Sequence, residues 1–224
     1  MSKALSSIYR KLYAHFGPQR WWPADTPFEV MVGAILTQNT SWSNVEKAIR
    51  NLKENNLLCA KKLHSLPHKK LAALLRPAGY FNIKATRLKN FLSFFIQGYD
   101  GDISAMRTRS MPLLRRELLS VNGIGRETAD SILLYALHKP IFVVDAYTKR
   151  ILARHSLAGE GASYQEIQKF FMQNLKKEVQ LFNEYHALLV RVGKDYCLKN
   201  KPKCAGCPLQ EPKVPEVPEA NRIL

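Results

Sequence analysis

An all-α fold is what the sequence predicts, and three observations predict it. Apolar residues recur at helical spacing along most of the chain. The breaker Pro77-Ala78-Gly79 stops one such segment before the next begins. The one β-branched run, "PIFVV", is too short and isolated to found a sheet. With 224 residues and 46% hydrophobic content, the chain can bury a core as one large domain or two small ones.

Taken in order, Leu5, Ile8, Leu12 and Phe16 mark a packed first helix. A nearly all-apolar helix from Phe28 to Leu36 follows, then a polar turn and an amphipathic helix with Val45, Ile49 and Leu52 on one face. A short helix ends at Pro77, and a longer one starts at about Ile83. "MPLLRRELLS", "RETADSILLYALH", "AYTKRILARHSL", "YQEIQKFFMQNL" and "FNEYHALLVRVGKDYC" supply five more. Nothing repeats at a fixed period. The last stretch carries Pro208, Pro212, Pro215 and Pro218 and reads as an extended tail.

Thirty-four Lys and Arg against eighteen Asp and Glu leave a formal charge of +16, an excess that points to a polyanion, most economically nucleic acid. No apolar run approaches the length of a membrane helix, and the basic start "MSKALSSIYRKLYAHF" has no secretory h-region. Four unevenly spaced cysteines make no disulfide framework, which fits a reducing compartment.

Two short motifs carry chemistry. In "LLSVNGIGRETADSILLYA", one helix ends near Ser120 and the next begins around Arg126. Between them, Gly123-Ile124-Gly125 lets the backbone approach a ligand closely, and the second helix presents free N–H groups and a dipole that favour a phosphate. A plain tight connection between helices would also use such a turn. In "KPIFVVDAYTKRILAR", Asp145 ends the apolar run at a helix N-terminus. It suits an N-cap, and the same donors would keep its carboxylate ionised beside apolar residues.

Together these segments resemble the helix-hairpin-helix (HhH-GPD) DNA glycosylases of the endonuclease III superfamily. "FEVMVGAILTQNTSW", "RPAGYFNIKATRLKNF" and, in part, "CLKNKPKCAGC" extend the likeness from about residue 20 to 208. The loop before Asp145 departs from the family's Gly/Pro-rich form, having Pro140 and no glycine. The resemblance implies a two-lobed fold. Residues 25–135 would form a helical barrel bearing the hairpin, residues 1–24 and 136–208 a second helical domain, and 209–224 a Pro-rich tail. It also implies that Asp145 is catalytic and that Gln38, Asn39, Gly123, Ile124, Gly125 and Arg126 contact duplex DNA, with Asn39 aligned to the wedging amide.

Family members that cut the backbone carry a nucleophilic lysine in the hairpin. Here that position is Glu127, so the resemblance implies a monofunctional enzyme that leaves an abasic site. Lys149 is the nearest lysine in sequence to Asp145. The "WWP" before "FEVMVGAILTQNT" resembles the third-type 3-methyladenine glycosylases, which implies that Trp22, Pro23 and Trp42 sandwich a flipped alkylated purine. An electron-rich aromatic face attracts such a cationic base.

Cys197, Cys204 and Cys207 match three of four ligands of the family's [4Fe–4S] loop, and Lys213 stands at the fourth. The expectation is an enzyme with no required cofactor, whose Lys199, Lys201 and Lys203 still face phosphates. Damaged double-stranded DNA is its expected partner, as a monomer in a bacterial or archaeal cytoplasm. The alternatives are an endonuclease III-like glycosylase for oxidised or mismatched bases and a non-catalytic helix-hairpin-helix DNA-binding protein. A pure binder has no need of Asp145.

Overall fold

The computed structural model describes residues 3–210. Its α-helices are α1 (Lys3–Phe16), α2 (Pro27–Leu36), α3 (Trp42–Glu54), α4 (Ala60–Ser65), α5 (His68–Leu74), α6 (Phe81–Tyr99), α7 (Ile103–Thr108), α8 (Met111–Ser120), α9 (Arg126–Ser131), α10 (Ala146–Arg154), α11 (Tyr164–Asn174) and α12 (Val179–Asp195). A π-helical turn, Ile132–Ala136, continues α9. There is no strand among the described residues. The run 141–144 is instead a buried extended connector leading to Asp145.

Helix α2 is the centre of the core. Every residue from Phe28 to Leu36 is buried, and the helix packs on α3, α6, α9 and the π-turn. Such all-round burial explains why its sequence is apolar rather than amphipathic. Its start is fixed by Thr26, whose side chain accepts from the Glu29 amide at 3.1 Å, with Pro27 in the first turn. Glu29 is itself buried and pairs with Lys53 at 2.8 Å, while Lys53 also holds Asp25 at 2.7 Å. The segment running from the two tryptophans into α2 is thereby tied to α3.

The first and last of these helices, α1 and α12, pack together. The Tyr185 hydroxyl on α12 donates to the Leu5 carbonyl on α1 at 2.8 Å, and the Gln19 amide donates to Glu184 at 2.7 Å. Helix α10 lies against α12, where a Cβ on Gly193 would fall 2.4 Å from Tyr147, so only glycine permits that approach. Arg150 closes this contact by donating to the carbonyls of Cys197 and Gly193 at 2.7 and 3.2 Å. Phe142 of the connector stacks on Phe171 of α11 at 3.7 Å between ring centres.

The all-α expectation holds, with differences at the edges. Helix α6 starts at Phe81 rather than Ile83, and α12 starts at Val179 rather than Phe182. The short helices α4 and α7 bury only two residues and one, so they carry too little periodicity to be read from sequence. Lys213 and nearly all of the Pro-rich tail lie outside the described residues.

Candidate active site

The hairpin follows the predicted boundaries: α8 ends at Ser120 and α9 starts at Arg126. Its two glycines have different reasons to be there. Gly123 has φ +94°, and a Cβ there would lie 2.2 Å from Cγ of Arg87. Gly125 has φ −89° and only open space where a Cβ would point. The first glycine is required by the fold, whereas the second leaves the turn's surface free for a close-lying ligand.

Gln38 and Asn39, both expected on DNA, part company. The Gln38 amide donates to the Gly123 carbonyl at 3.1 Å and to the Thr128 hydroxyl at 2.9 Å, while its oxygen accepts from Arg87. Its polar atoms are thus spent on fastening the α2–α3 turn to the hairpin. Asn39 is exposed with φ +54° and stands at the tip of that turn. Ile124 is buried beneath the hairpin, and the exposed Arg126 donates to Gln165 at 2.8 Å.

A network absent from the sequence expectations anchors α9. Asp130 is fully buried and accepts two bonds from Arg115, at 2.6 and 3.0 Å. Tyr164 and Gln168 of α11 each donate to it at 2.7 Å. Gln168 also donates to the Phe142 carbonyl at 2.7 Å. One carboxylate therefore joins hairpin, α11 and the connector that carries Asp145.

Asp145 caps α10. Its Oδ1 accepts from the Thr148 amide and hydroxyl at 2.7 and 2.8 Å. Its Oδ2 lies 3.6 Å from Nε2 of His186 on α12. Burial alone would raise this carboxyl, but the facing imidazole and the Thr148 donors outweigh burial and hold it below the ordinary aspartate value. His186 is a functional candidate that the sequence reading did not single out. Its Nδ1 meets the Tyr135 hydroxyl at 2.5 Å, and its Nε2 is buried without a hydrogen-bond partner. Tyr135 comes from the π-turn, a distortion often found at functional sites.

Glu127 lies within electrostatic reach of Asp145, His186 and Lys149. Its side chain reaches solvent but is crowded by the surrounding protein. Desolvation, then the Asp145 charge, push its carboxyl up to about 7, against the pull of His186 and Lys149. Solvent at its outer edge offsets part of that rise.

The aromatic residues converge, but not as a sandwich. Trp22 meets Trp42 edge to face, 5.2 Å between centres at 90°, and contacts Tyr135 at 5.1 Å. Two rings must stand parallel, about 7 Å apart, to clasp a base, twice the usual carbon–carbon contact of roughly 3.5 Å. In this conformation the indoles fill each other's space instead, and both lie so close to Gly33 of α2 that a Cβ there would stand 3.4 Å from the Trp42 ring and 3.5 Å from Trp22 Nε1. Trp22, Pro23 and Trp42 together border a cavity of about 510 Å³ with Glu29, Arg50 and Lys53. Asp145 does not line it. A second cavity, about 420 Å³ and bordered by Met111, Leu119 and Met172, is likewise not lined by Asp145.

The three cysteines supply three of the four thiolates such a cluster uses, and the fourth position, Lys213, lies outside the described residues. Cys197 is buried and its Sγ accepts from Arg154 at 3.2 Å, while Cys204 is exposed. Cys207 is raised first by burial, with Cys197 and Cys204 adding to the rise. Among the described residues, no three His, Cys, Asp or Glu side chains converge on a point that could hold a metal ion. No described helix is long and apolar enough to cross a membrane.

Comparison with known proteins gives this arrangement a family. A Methanocaldococcus jannaschii protein named "Putative DNA repair glycosylase MJ1434" is 51% identical over 205 residues, covering 91% of this chain and 93% of that protein. Endonuclease III of Bacillus subtilis is 26% identical over 183 residues, covering 82% of this chain and 78% of that enzyme. The crystal structure of H. pylori 3-methyladenine DNA glycosylase bound to 1,N6-ethenoadenine superposes with a TM-score of 0.73 at 30% identity, covering 86% of this chain and 96% of that one. A trapped endonuclease III–DNA covalent intermediate superposes with a TM-score of 0.81 at 22% identity, covering 93% of each chain, a likeness of fold. Residues 32–177 match the HhH-GPD superfamily of base excision DNA repair proteins, and this chain belongs to that family.

Proposed function

We propose that this DNA glycosylase is monofunctional and hydrolyses the N-glycosidic bond of alkylated purines such as 3-methyladenine, leaving an abasic site. The observation that carries the reading is Asp145, buried at the N-terminus of α10 with Oδ1 held by Thr148 and Oδ2 facing His186, in a chain with Glu127 where the resemblance would call for a Schiff-base lysine. The likeness to the H. pylori enzyme supports the choice of base.

In this reading, damaged duplex DNA lies across the hairpin, with a phosphate on the open face of Gly125. Asn39 enters the gap left by the flipped nucleotide. The damaged base meets the Trp22–Trp42–Tyr135 aromatic group, whose ring faces attract an N3-alkylated cation. Trp42 or Trp22 swings aside to admit it, since the two rings now touch. The glycosidic bond of a cationic purine is already weak, so no strong general acid is required. Asp145 Oδ2 faces the sugar, stabilises the oxocarbenium-like transition state and orients the attacking water. The chain needs no cofactor for this and works as a monomer in the cytoplasm. The two lobes remain our reading of residues 25–135 against 1–24 and 136–208.

The test is chromatographic detection of free base released from duplex DNA. Methylated substrate is run beside duplexes carrying uracil, mismatched thymine or an oxidised pyrimidine. We expect 3-methyladenine to appear fastest. Release confined to the mismatched or oxidised substrates would transfer the assignment to an endonuclease III-like specificity. Binding without release from any of them would leave a non-catalytic DNA-binding protein.

A further inference from the structure

We propose that His186 is the positioning residue for Asp145, with Tyr135 fixing the tautomer of its imidazole. The inference rests on Asp145 being the catalytic carboxylate.

The geometry leaves His186 a narrow set of roles. The ring is 5% exposed. Its Nδ1 is taken by the Tyr135 hydroxyl at 2.5 Å. Its Nε2, on the opposite edge, has no hydrogen-bond partner and points at Asp145 Oδ2 from 3.6 Å. A buried polar atom with no partner costs stability unless something compensates, and the polar group it faces is the Asp145 carboxylate. Tyr135 is buried and meets Nδ1 at 2.5 Å, and in the proposed arrangement its hydroxyl donates to Nδ1. With Nδ1 engaged by Tyr135, Nε2 is the ring nitrogen left to act as an N–H donor aimed at Oδ2.

The two oxygens of Asp145 are thereby divided. Oδ1 is saturated by the two Thr148 donors. Oδ2 is the oxygen left for chemistry, and His186 is the group that sets its direction. At 3.6 Å the contact is longer than a formed hydrogen bond. Catalytic contacts commonly tighten when substrate arrives, and the Nε2–Oδ2 bond forms when the site closes on DNA. A phenol that locks a tautomer, an imidazole that aims a carboxylate and a carboxylate that faces the sugar form one relay, spanning the π-turn, α12 and α10.

The test separates positioning from packing. His186→Leu removes the donor, and His186→Gln returns an amide N–H near the Nε2 position. Single-turnover base release is measured at saturating enzyme, together with affinity for duplex DNA bearing a stable abasic analogue. We expect His186→Leu to slow release about 10–100-fold, by analogy with the loss of groups that orient metal-ligating side chains, with DNA affinity unchanged within about twofold. His186→Gln should recover about tenfold of that loss. If the Gln variant is as slow as the Leu variant, His186 serves packing alone and the proposal falls. If both match wild type, it falls as well.

Nitrogen-15 NMR of the imidazole reads the tautomer directly and needs no turnover. The proton on Nε2, shifting to Nδ1 or exchanging between them in Tyr135→Phe, supports the relay. A proton on Nδ1 in the wild-type protein overturns it. A wild-type protein that released no base from any duplex would refute the glycosylase assignment through the release assay. The NMR result would still decide the relay.

Discussion

Gly123 and Gly125 are two residues apart in one turn, yet the structure predicts opposite consequences for the same substitution. In Gly123→Ala, the new Cβ would sit 2.2 Å from Arg87 Cγ and 3.0 Å from its Cβ and Cδ. The φ of +94° adds about 1–2 kcal/mol for any L side chain. Moving Arg87 releases its bond to Gln38, and Gln38 then loses its hold on Gly123 and Thr128. Those bonds contribute about 1 kcal/mol each. Reduced freedom of the unfolded chain returns roughly 0.4–1 kcal/mol. The net loss is about 3–5 kcal/mol, or roughly 6–20 °C in Tm for a chain of this size. Gly125→Ala meets no atom and an ordinary φ, so its stability should stay within about 0.5 kcal/mol. Its methyl group instead holds DNA off the turn and weakens duplex binding severalfold at fixed salt. Thermal melts and fluorescence anisotropy with a labelled duplex measure both. Equal melting losses for the two variants, or no loss for Gly123→Ala, would refute this division of labour.

Other outcomes follow from the same geometry. Asp130→Ala should cost about 3–5 kcal/mol, because it strands the partly buried Arg115 and two further donors; a urea midpoint unchanged from wild type would contradict this. Glu127 binds its proton more tightly folded than unfolded, so the folded state holds more protons between its ordinary value near 4.5 and about 7, and stability falls as pH rises through that window. Glu127→Gln should therefore melt above wild type at pH 8 and equal to it at pH 4, and a constant difference across pH would show the carboxyl to be unperturbed. Replacing Cys197, Cys204 and Cys207 together by Ser should leave the fold and base release intact, with no iron detected by mass spectrometry in either protein. Iron in stoichiometric amount, lost in the variant, would show that Lys213 or another group completes a cluster.

What the sequence made legible was local. The apolar run of α2, the hairpin boundaries at Ser120 and Arg126 and the capping role of Asp145 all depend on neighbours within a turn or two. The pieces that were not legible depend on partners far apart in the chain. Tyr135 and His186 are 51 residues apart and meet only because the π-turn packs on α12. The signal that could have pointed to His186 was its place in the apolar run "YHALLV", where a polar ring must find a buried partner. Asp130 gave less warning still, since an acid at the end of a short helix usually faces water. The resemblance assigned Gln38 to DNA, and its bonds to Arg87, Gly123 and Thr128 are long-range contacts that its local sequence does not encode. Trp22 and Trp42, which the resemblance grouped with Pro23, do lie against each other, but their edge-to-face contact and the approach of Tyr135 arise from packing that no spacing encodes.

The most direct test of the central claim is single-turnover reaction of the wild type and Asp145→Asn with alkylated duplex DNA, scored for free base, for strand nicks before and after alkali, and for adducts trapped by borohydride. The account predicts release of 3-methyladenine by the wild type, nicks only after alkali, no trapped adduct, and loss of release in Asp145→Asn with DNA binding retained. A borohydride-trapped protein–DNA adduct, or nicks without alkali, would contradict it by revealing an amine nucleophile, with Lys149 the first residue to replace.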